Sequence, residues 1–294
     1  DSSANDSSGN GNAGTLNNMS SANYSSSVPE ACSGANVNSL SLNPNGQDDQ
    51  QWVNVGSHDE LRPDSITVSA WIKATDGEYY GQIAGAAGMT KGIMGYSLTY
   101  SAEYNILEFI TSSRYVGFEL PDESVIEGQW AHVSATYDAT TGETNLYLNG
   151  VLVDTDENEP GPLVHEGVGF DNSPYDFEIG RAQYIDLDTV GFFQGSIDDV
   201  RVYDRALADF EIEELAGSDC VDDNDGIASE IEDAAPNSGD GNNDGTPDSE
   251  QPNVASFVNG ITGQYVSLAV NNACAIASTV MGTESIVAAD IAYD

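Results

Sequence analysis

The chain has 294 residues and a formal net charge of −42, because 49 acidic residues outnumber 7 basic ones. Binding to a nucleic-acid backbone requires clustered lysine and arginine, so this charge excludes nucleic acids as partners and disfavours anionic membrane surfaces. The acidic groups repel one another unless salt or bound cations screen them, which favours a saline or calcium-rich environment. No run of residues is long and apolar enough to insert into a bilayer.

Residues 1–36 are rich in Ser, Asn and Gly and contain almost nothing apolar. This composition is typical of flexible linkers, because it cannot bury enough apolar surface to fold alone. The sequence also begins at Asp1, without a methionine or a signal peptide, so we expect a mature product or a fragment. Residues 1–36 are therefore predicted to be a flexible leader.

From Leu40 to about Ala216 the hydrophobic pattern has a period of two, which is typical of β-strands. In SITVSAWIKA, apolar residues alternate with polar ones from Ile66 to Ile72. The stretch WAHVSATYDATTGETNLYLNGVLVD predicts a three-stranded antiparallel meander, with Asn149–Gly150 as a type I′ turn between its last two strands. Further strands are expected at about 40–43, 51–55, 95–100, 105–110, 115–120, 176–180 and 193–203, which together predict an all-β, two-sheet sandwich.

Two local features are expected near the end of this region. A short helix is predicted over Asp209–Ala216, with acids in its first turn and with Phe210, Ile212 and Leu215 packing inward. The pair Asp198–Asp199 interrupts a strand, since the apolar residues up to Ile197 have odd numbers and those from Val200 have even numbers. This shift predicts a β-bulge, which redirects side chains. Either Asp198 bonds backbone near the domain's first strand and Asp199 pairs with an arginine, or Asp198 belongs to a metal site.

Four segments, in this order, resemble the laminin G-like, concanavalin A-like jelly-roll modules of bacterial surface proteins: SITVSAWIKA, WAHVSATYDATTGETNLYLNGVLV, FEIGRA and FFQGSIDDVRVYDRALADFEIEELAG. The resemblance implies a laminin G-like jelly roll over residues 37–217. One departure is Ala208, where the family commonly has a helix-capping Ser that accepts hydrogen bonds from free N–H groups. In the family the Asp198 stretch can adjoin calcium together with the acidic turn GQDDQQW, which implies a weaker metal site of Asp48, Asp49 and Asp198.

Concanavalin A-like folds also include glycoside hydrolases, whose retaining members need two carboxylates about 5–5.5 Å apart. The E-x-D-x-x-E string of those enzymes is absent here. His58, His132 and His165 are isolated from one another in sequence, and His132 is interpreted as a structural residue because it alternates within a strand. We therefore expect no enzymatic activity.

Aromatic residues in or near loops can stack on sugar rings. On this ground the candidate ligand-binding residues are Tyr79, Tyr80, Tyr115 and Tyr175. Trp71 and Trp130 are placed within predicted strands and are expected in the core instead.

Residues 218–252 contain two copies of an acidic pattern, DDNDGIASEIE and GNNDGTPDSEQ, and Gly226 and Gly245 recur at the same place in each. A calcium loop of the EF-hand type needs spaced oxygen ligands and a glycine at its sixth position. Each copy is incomplete alone, and Pro247 and Pro252 forbid the helix that should follow. The sequence thus predicts calcium as a cofactor, rather than an acidic linker that only stays solvated. The predicted ligands are Asp222, Asp223, Asp225, Glu232, Asp240, Asn242, Asp244 and Asp248.

This acidic pattern resembles thrombospondin type 3 repeats, in which short acidic turns wrap around calcium with little regular structure. The stretch EIEDAAPNSGDGNNDGTPDSEQPNVASF is similar to the segment that precedes choice-of-anchor domains in bacterial exported proteins. Residues 253–294 are therefore expected to form a small β segment of a larger domain. Cys32, Cys220 and Cys274 are too far apart for a zinc motif, and one disulfide would form as Cys32–Cys220 or Cys220–Cys274.

The combined interpretation is a secreted or cell-surface protein of a bacterium from marine or saline surroundings. Its predicted role is noncatalytic adhesion, in which the jelly roll binds glycans or partner surfaces and calcium stiffens the connector to the next domain. One alternative is a structural subunit that self-assembles into an extracellular filament or coat. A polysaccharide-degrading enzyme is the least favoured alternative.

Overall fold

The computed structural model describes residues 3–6, 8, 10–29, 38–43, 45, 49–75, 80–89, 93–111, 115–121, 125–165, 175–184, 189–217, 240, 245–247, 254–258, 265–270 and 291–293. The chain divides into two compact units, one comprising residues 1–29 with 37–212 and the other residues 30–36 with 213–294. Within the described ranges, no helix combines the length and the apolar character needed to cross a membrane.

The described strands are β1 (Ser3–Ala4), β2 (Gly14–Asn17), β3 (Tyr24–Ser25), β4 (Ser39–Leu42), β5 (Trp52–Gly56), β6 (Ile66–Ala74), β7 (Tyr80–Met89), β8 (Ile93–Ser101), β9 (Ile106–Thr111), β10 (Tyr115–Glu119), β11 (Ala131–Tyr137), β12 (Glu143–Leu148), β13 (Val151–Glu157), β14 (Phe177–Ile179), β15 (Arg181–Tyr184), β16 (Thr189–Phe192), β17 (Gly195–Tyr203), β18 (Val254–Val258), β19 (Tyr265–Val270) and β20 (Ile291–Tyr293). Helix α1 spans Asp209–Leu215, and short 3₁₀ turns cover Ser21–Asn23 and Asp59–Leu61.

The larger unit is a sandwich of two mainly antiparallel sheets, as predicted. The ten-stranded sheet has the order β1-β2-β5-β14-β7-β8-β9-β10, with β15 and β16 joining beside β7. The seven-stranded sheet has the order β13-β12-β11-β6-β17-β4-β3. Alternate residues of the central strands point into the space between the sheets, and the fully buried core includes Ile66, Val68, Tyr96, Leu98, Phe109 and Val133. All seven strands expected outside the meander overlap observed strands.

The predicted meander is confirmed. Strands β11, β12 and β13 pair in sequence order, and β11 also pairs with β6. Asn149 and Gly150 both have positive φ, 50° and 79°, which is the geometry that a type I′ turn requires. Strand β7 was missed because its sequence, YGQIAGAAGM, is made largely of small residues with low β-propensity.

The leader prediction is wrong for residues 14–17 and 24–25. Strand β2 pairs with β5 in the ten-stranded sheet, and β3 pairs with β4 in the seven-stranded sheet. The Asn23 side chain between them is buried and donates hydrogen bonds to the Ser41 carbonyl (2.8 Å) and to Gln51 Oε1 (3.0 Å). Backbone pairing and side-chain amides therefore hold this segment, and both are available to a polar sequence.

Helix α1 forms where it was expected, but its side chains differ from the prediction. Phe210 is 62% exposed, whereas Ile212 and Glu211 are buried. The Glu211 carboxylate accepts a hydrogen bond from the Ala208 N–H (2.8 Å) and two from the Arg205 guanidinium (2.7 and 2.6 Å). Glu211 thus caps the helix from its third position, which compensates for the capping serine that Ala208 lacks.

The predicted bulge is also confirmed. The pairing of β17 with β6 shifts register between Asp198 and Arg201, and Asp199 has a φ of 46°. Asp198 Oδ1 accepts the Asp199 N–H at 2.9 Å, and the Arg201 Nε donates to Asp199 at 2.9 Å. The Asp199–Arg201 contact matches the arginine pairing expected for Asp199, whereas the backbone partner of Asp198 shown here is its own neighbour and not the domain's first strand.

In the smaller unit, β18, β19 and β20 form a three-stranded antiparallel sheet. Of the acidic repeats, only Asp240 and residues 245–247 are described. The Gly245 N–H donates to Asp240 Oδ2 at 2.9 Å, and Gly245 has a φ of 99°. The glycine of this repeat and its first acid are therefore in direct contact.

Candidate functional site

The outer face of the ten-stranded sheet carries two rows of aligned residues. Cross-strand pairing aligns the first row in the order Asn54, Glu178, Gly85, Ser97, Ile110 and Tyr115. The second row, one pleat further along, is Gln82, Thr99, Glu108 and Gly117. The neighbouring residues of β8, β9 and β10 are core residues, so strand alternation directs both rows away from the core. We call this surface the outer face.

Tyr115 forms an aromatic platform at the β10 end of the outer face. The residue is 52% exposed, although its hydroxyl donates to Glu108 Oε1 at 3.0 Å. The ring leans along the strand over Gly117, because a Cβ added to Gly117 would lie only 2.3 Å from the Tyr115 hydroxyl oxygen. The missing side chain at Gly117 thus lets the ring lie close to the sheet with one side turned to solvent.

Acidic oxygens surround this platform. Asp154 of β13 accepts a hydrogen bond from the Gly117 N–H at 2.9 Å. Partial burial, reinforced by the charges of Glu108 and Asp154, raises the pKa of Tyr115 to about 12. The phenol therefore stays protonated over the physiological range and keeps donating to Glu108, which fixes the orientation of the ring.

A hydroxyl chain supports Glu108 from the next two strands. The Thr99 hydroxyl donates to Glu108 Oε2 at 3.3 Å, and the Tyr80 and Thr99 hydroxyl oxygens are 3.2 Å apart. Since Thr99 has only one hydroxyl proton, this arrangement makes Tyr80 the donor to Thr99. Glu108 is thus held from β8 and β10 at once, while its remaining lone pairs can accept from a ligand.

The other half of the outer face contains a buried ion pair. Glu178 and Arg181 form a bidentate contact with two distances of 2.8 Å, and their side chains are 7% and 18% exposed. The Arg181 guanidinium lies 4.3 Å from the centre of the Trp52 ring, a cation–π contact. Burial raises the pKa of Glu178 to about 7, although Arg181 opposes this shift.

Gln82 ties this ion pair to the sheet. Its side-chain amide donates to the carbonyls of Glu178 (3.1 Å) and Arg181 (2.7 Å), and its oxygen accepts from the Ser97 hydroxyl at 2.7 Å. All of these side-chain groups have partners within the cluster. We therefore interpret the Glu178 half of the outer face as its rigid support, and the Tyr115 half as the surface open to a ligand.

The four predicted ligand-binding tyrosines have different positions. Tyr115 is exposed on the outer face, and Tyr80 is partly buried, with its hydroxyl reaching Thr99 of the second row. Tyr175 is only 8% exposed, which contradicts its assignment as a stacking residue, and Tyr79 lies outside the described residues. Sequence reasoning missed Glu108 and Gly117. The sequence signal was that Glu108 lies two residues after Ile106 and Gly117 two residues after Tyr115, so each shares a strand face with that neighbour. This signal becomes informative only once the pairing of β9 with β10 is known.

The predicted metal ligands are not assembled within the described part of the chain. No group of three or more His, Cys, Asp or Glu side chains in the described ranges is arranged to hold a metal ion. Asp49 Oδ2 accepts hydrogen bonds from Asn45, and Asp198 caps the bulge described above. Asp240 is described, whereas the remaining predicted ligands lie outside the described residues: Asp48, Asp222, Asp223, Asp225, Glu232, Asn242, Asp244 and Asp248.

The seven-stranded sheet has its own aromatic group on the opposite side of the sandwich. His132 is 2% exposed and contacts Trp71 edge-on, with ring centres 5.4 Å apart. Burial lowers the pKa of His132 to about 3, so the ring is neutral and fits the structural role expected for it. Trp71 and Trp130 are partly exposed rather than core residues, and Lys73 lies over the Trp130 ring at 5.1 Å.

Comparison with known proteins gives a family match for the larger unit. A family model described as the concanavalin A-like lectin/glucanases superfamily matches residues 45–213, which is more than half of the chain. No curated protein sequence matches the chain.

Several solved structures are similar at low identity. Domain 4 of AbnA, an extracellular GH43 arabinanase of Geobacillus stearothermophilus in complex with arabinotriose, has 21% identity and a TM-score of 0.48 over 72% of this chain and 91% of that chain. The binding domain of botulinum neurotoxin serotype G has 16% identity and a TM-score of 0.48, over 71% and 47%. A Bacteroides ovatus protein assigned to carbohydrate binding has 23% identity and a TM-score of 0.40, over 51% of this chain and 40% of its own. This chain thus spans less than half of the latter two, and these scores carry no statement about its ligand.

Proposed function

Because this chain belongs to the concanavalin A-like lectin/glucanases superfamily, we propose that it is a noncatalytic carbohydrate-binding module with its site at the Tyr115 end of the outer face. The observation that carries the proposal is the exposed Tyr115 ring, held over Gly117 and anchored to Glu108. A sugar ring presents C–H groups that pack on an aromatic face, and it surrounds them with hydroxyl donors.

The groups around the ring suit such a ligand. Glu108 and Asp154 are acceptors with lone pairs to spare, so they can take hydroxyl protons from a sugar stacked on Tyr115. The ring is already oriented by its own hydrogen bond, so little conformational entropy is lost on binding. This preorganisation favours shallow recognition of a glycan chain on a rigid surface.

Glu178 and Glu108 are not arranged as a catalytic pair for glycoside cleavage. Glu178 and Glu108 are separated by β7 and β8, which is three strand spacings or about 14 Å between backbones. Retaining and inverting glycosidases need carboxyl groups about 5–5.5 Å or 6.5–9.5 Å apart, respectively. Glu178 is moreover fully engaged with Arg181, so it offers neither a free nucleophile nor a free acid.

The test compares two exposed tyrosines. Tyr115→Ala is expected to weaken binding of neutral oligosaccharides by roughly tenfold, which is about 1.4 kcal/mol. Tyr104→Ala is the matched control, since Tyr104 is 63% exposed in the turn between β8 and β9 but lies outside both rows of the outer face. Isothermal titration against a panel of plant, algal and animal-type glycans measures both. The proposal is wrong if no glycan binds, or if the two substitutions weaken binding equally.

We further propose that the acidic repeats bind calcium and stiffen the connector in a protein that works outside the cell. The Asp240–Gly245 turn supports this, since it brings the first acid of a repeat close to the glycine that reverses the chain. Calcium would supply the positive charge that residues after Arg205 lack.

Native mass spectrometry with millimolar calcium should then show bound ions. A chelator should increase protease cleavage within residues 219–252 but not within the sandwich. Unchanged cleavage, together with a mass free of calcium, would contradict the calcium proposal and leave the glycan proposal intact.

A further inference from the structure

The first 25 residues contain every Asn-x-Ser/Thr triplet of the chain. The three triplets are Asn5-Asp6-Ser7, Asn18-Met19-Ser20 and Asn23-Tyr24-Ser25. This pattern is the acceptor motif of N-linked glycosylation in exported proteins, provided that the middle residue is not proline. The structure separates the three asparagines into two classes.

Asn5 and Asn18 are exposed at the edge of the ten-stranded sheet. Asn5 follows the outermost strand, β1, and Asn18 follows β2 with a φ of 53°. The Asn18 amide nitrogen donates one hydrogen bond, to the Gln50 carbonyl at 2.9 Å. An amide nitrogen has two protons, so Asn18 can lose one to a new bond and still donate the other.

Asn23 has no amide proton to spare for a new bond. The residue is 7% exposed, and its side-chain amide nitrogen uses both protons, for the Ser41 carbonyl and for Gln51 Oε1. Its side-chain oxygen also accepts the Ser20 N–H at 3.0 Å. A substituent on this nitrogen would break a buried hydrogen bond and displace β3 from the seven-stranded sheet.

We propose that Asn5 and Asn18 are N-glycosylated, whereas Asn23 remains bare because it is a structural residue. In the transfer, the asparagine Nδ2 forms a bond to the anomeric carbon of a polyprenyl-phosphate-linked oligosaccharide. The bond between that carbon and the phosphate oxygen breaks, the lipid phosphate leaves with the electron pair, and one amide proton passes to a base of the transferase. Glycans at these positions would also cover β1, whose outer edge pairs with no other strand among the described residues.

Peptide mass spectrometry of the full chain, exported from a host whose oligosaccharyltransferase modifies proteins after they have folded, tests this proposal. Glycan mass is expected on the peptides containing Asn5 and Asn18, with occupancy at Asn23 at least tenfold lower. Bare peptides at all three positions would overturn the proposal, as would occupancy at Asn23 equal to that at Asn18.

Two matched serine substitutions make the test independent of peptide recovery. Ser7→Ala removes the Asn5 triplet and should lower the intact mass by one glycan, whereas Ser25→Ala removes the Asn23 triplet and should leave the glycan mass unchanged. As a second measurement, the purified folded chain and its denatured form are each given a transferase and lipid-linked oligosaccharide. Asn23 should be modified only in the denatured form, and its modification in the folded chain would show that burial does not protect it.

Discussion

The outer surfaces of the two sheets bury polar groups in different ways. On the ten-stranded sheet, Glu178, Arg181, Gln82 and Ser97 satisfy one another through a connected set of hydrogen bonds. On the seven-stranded sheet, His132 Nδ1 and the hydroxyls of Ser69 and Ser134 are buried without a hydrogen-bond partner, and the ion pair Asp199–Arg201 lies at the surface. The first surface therefore depends on charge pairing, whereas the second depends on its groups staying neutral.

The largest expected effect comes from removing a charge from the paired cluster. Arg181→Ala leaves Glu178 buried without its cation, so at pH 8 the free energy of unfolding should fall by about 3–5 kcal/mol. Arg201→Ala is the matched control, because the side chains of Arg201 and Asp199 are 46% and 39% exposed. Its expected loss is below about 1 kcal/mol. Urea unfolding of both variants measures the difference, and equal losses would show that the two ion pairs are equivalent.

The next effect is the pH dependence of His132. Burial lowers its pKa to about 3 from an ordinary value of 6.5, so the unfolded chain binds a proton that the folded chain rejects. Its contribution to stability is complete above pH 6.5 and is lost as the pH falls towards 3, which amounts to about 2 kcal/mol between pH 7 and pH 5. His132→Gln should remove that loss. The difference in unfolding free energy between wild type and variant, measured at both pH values, isolates the His132 contribution from other titrating groups.

Glu178 should respond to pH with the opposite sign. Burial raises its pKa to about 7, so the folded chain binds its proton more readily than the unfolded chain does. Its contribution to stability is therefore complete below the ordinary pKa of 4.5 and decreases as the pH rises through 7. The Arg181→Ala loss should accordingly be smaller at pH 5 than at pH 8, and an equal or larger loss at pH 5 would contradict this assignment.

The smallest effect concerns the platform itself. Gly117→Ala places a methyl group where the Tyr115 hydroxyl lies, so the ring must swing away and glycan binding should weaken about fivefold, or roughly 1 kcal/mol. Gly161→Ala serves as the control, since no heavy atom lies within 4 Å of a Cβ at that position. Titration with the same glycan measures both variants. Unchanged binding by Gly117→Ala would show that the ring orientation does not matter.

Local sequence signals predicted those parts of the fold that depend on neighbouring residues. The Asn149–Gly150 turn, the α1 helix and the bulge after Asp198 each arise from interactions within a few residues, and each was confirmed. The leader strands were not predictable in this way, because pairing along a sheet edge uses backbone groups and leaves little periodicity in a Ser/Asn-rich sequence.

The candidate site was predicted only in part, because it depends on which strands become neighbours. Tyr115 was found from its position near a loop. The roles of Glu108 and Gly117 follow from the register of β9 against β10, and that register is set by packing over the whole sheet. Tyr175 was assigned by the same loop argument as Tyr115 and is buried, so proximity to a loop does not by itself indicate exposure.

Because β2 pairs with one sheet and β3 with the other, they limit how far the chain can be truncated from its N-terminus. The family match begins at residue 45, yet β2 pairs with β5, and β4 supplies the fully buried Leu42. A shortened chain that starts at residue 45 would lose two strands of each sheet, β1 and β2 from one and β3 and β4 from the other, and would leave both new edges open to aggregation. The smallest fragment that preserves this sandwich for expression, grafting or fusion therefore includes the Ser/Asn-rich segment. Its composition alone would suggest that this segment is a dispensable linker.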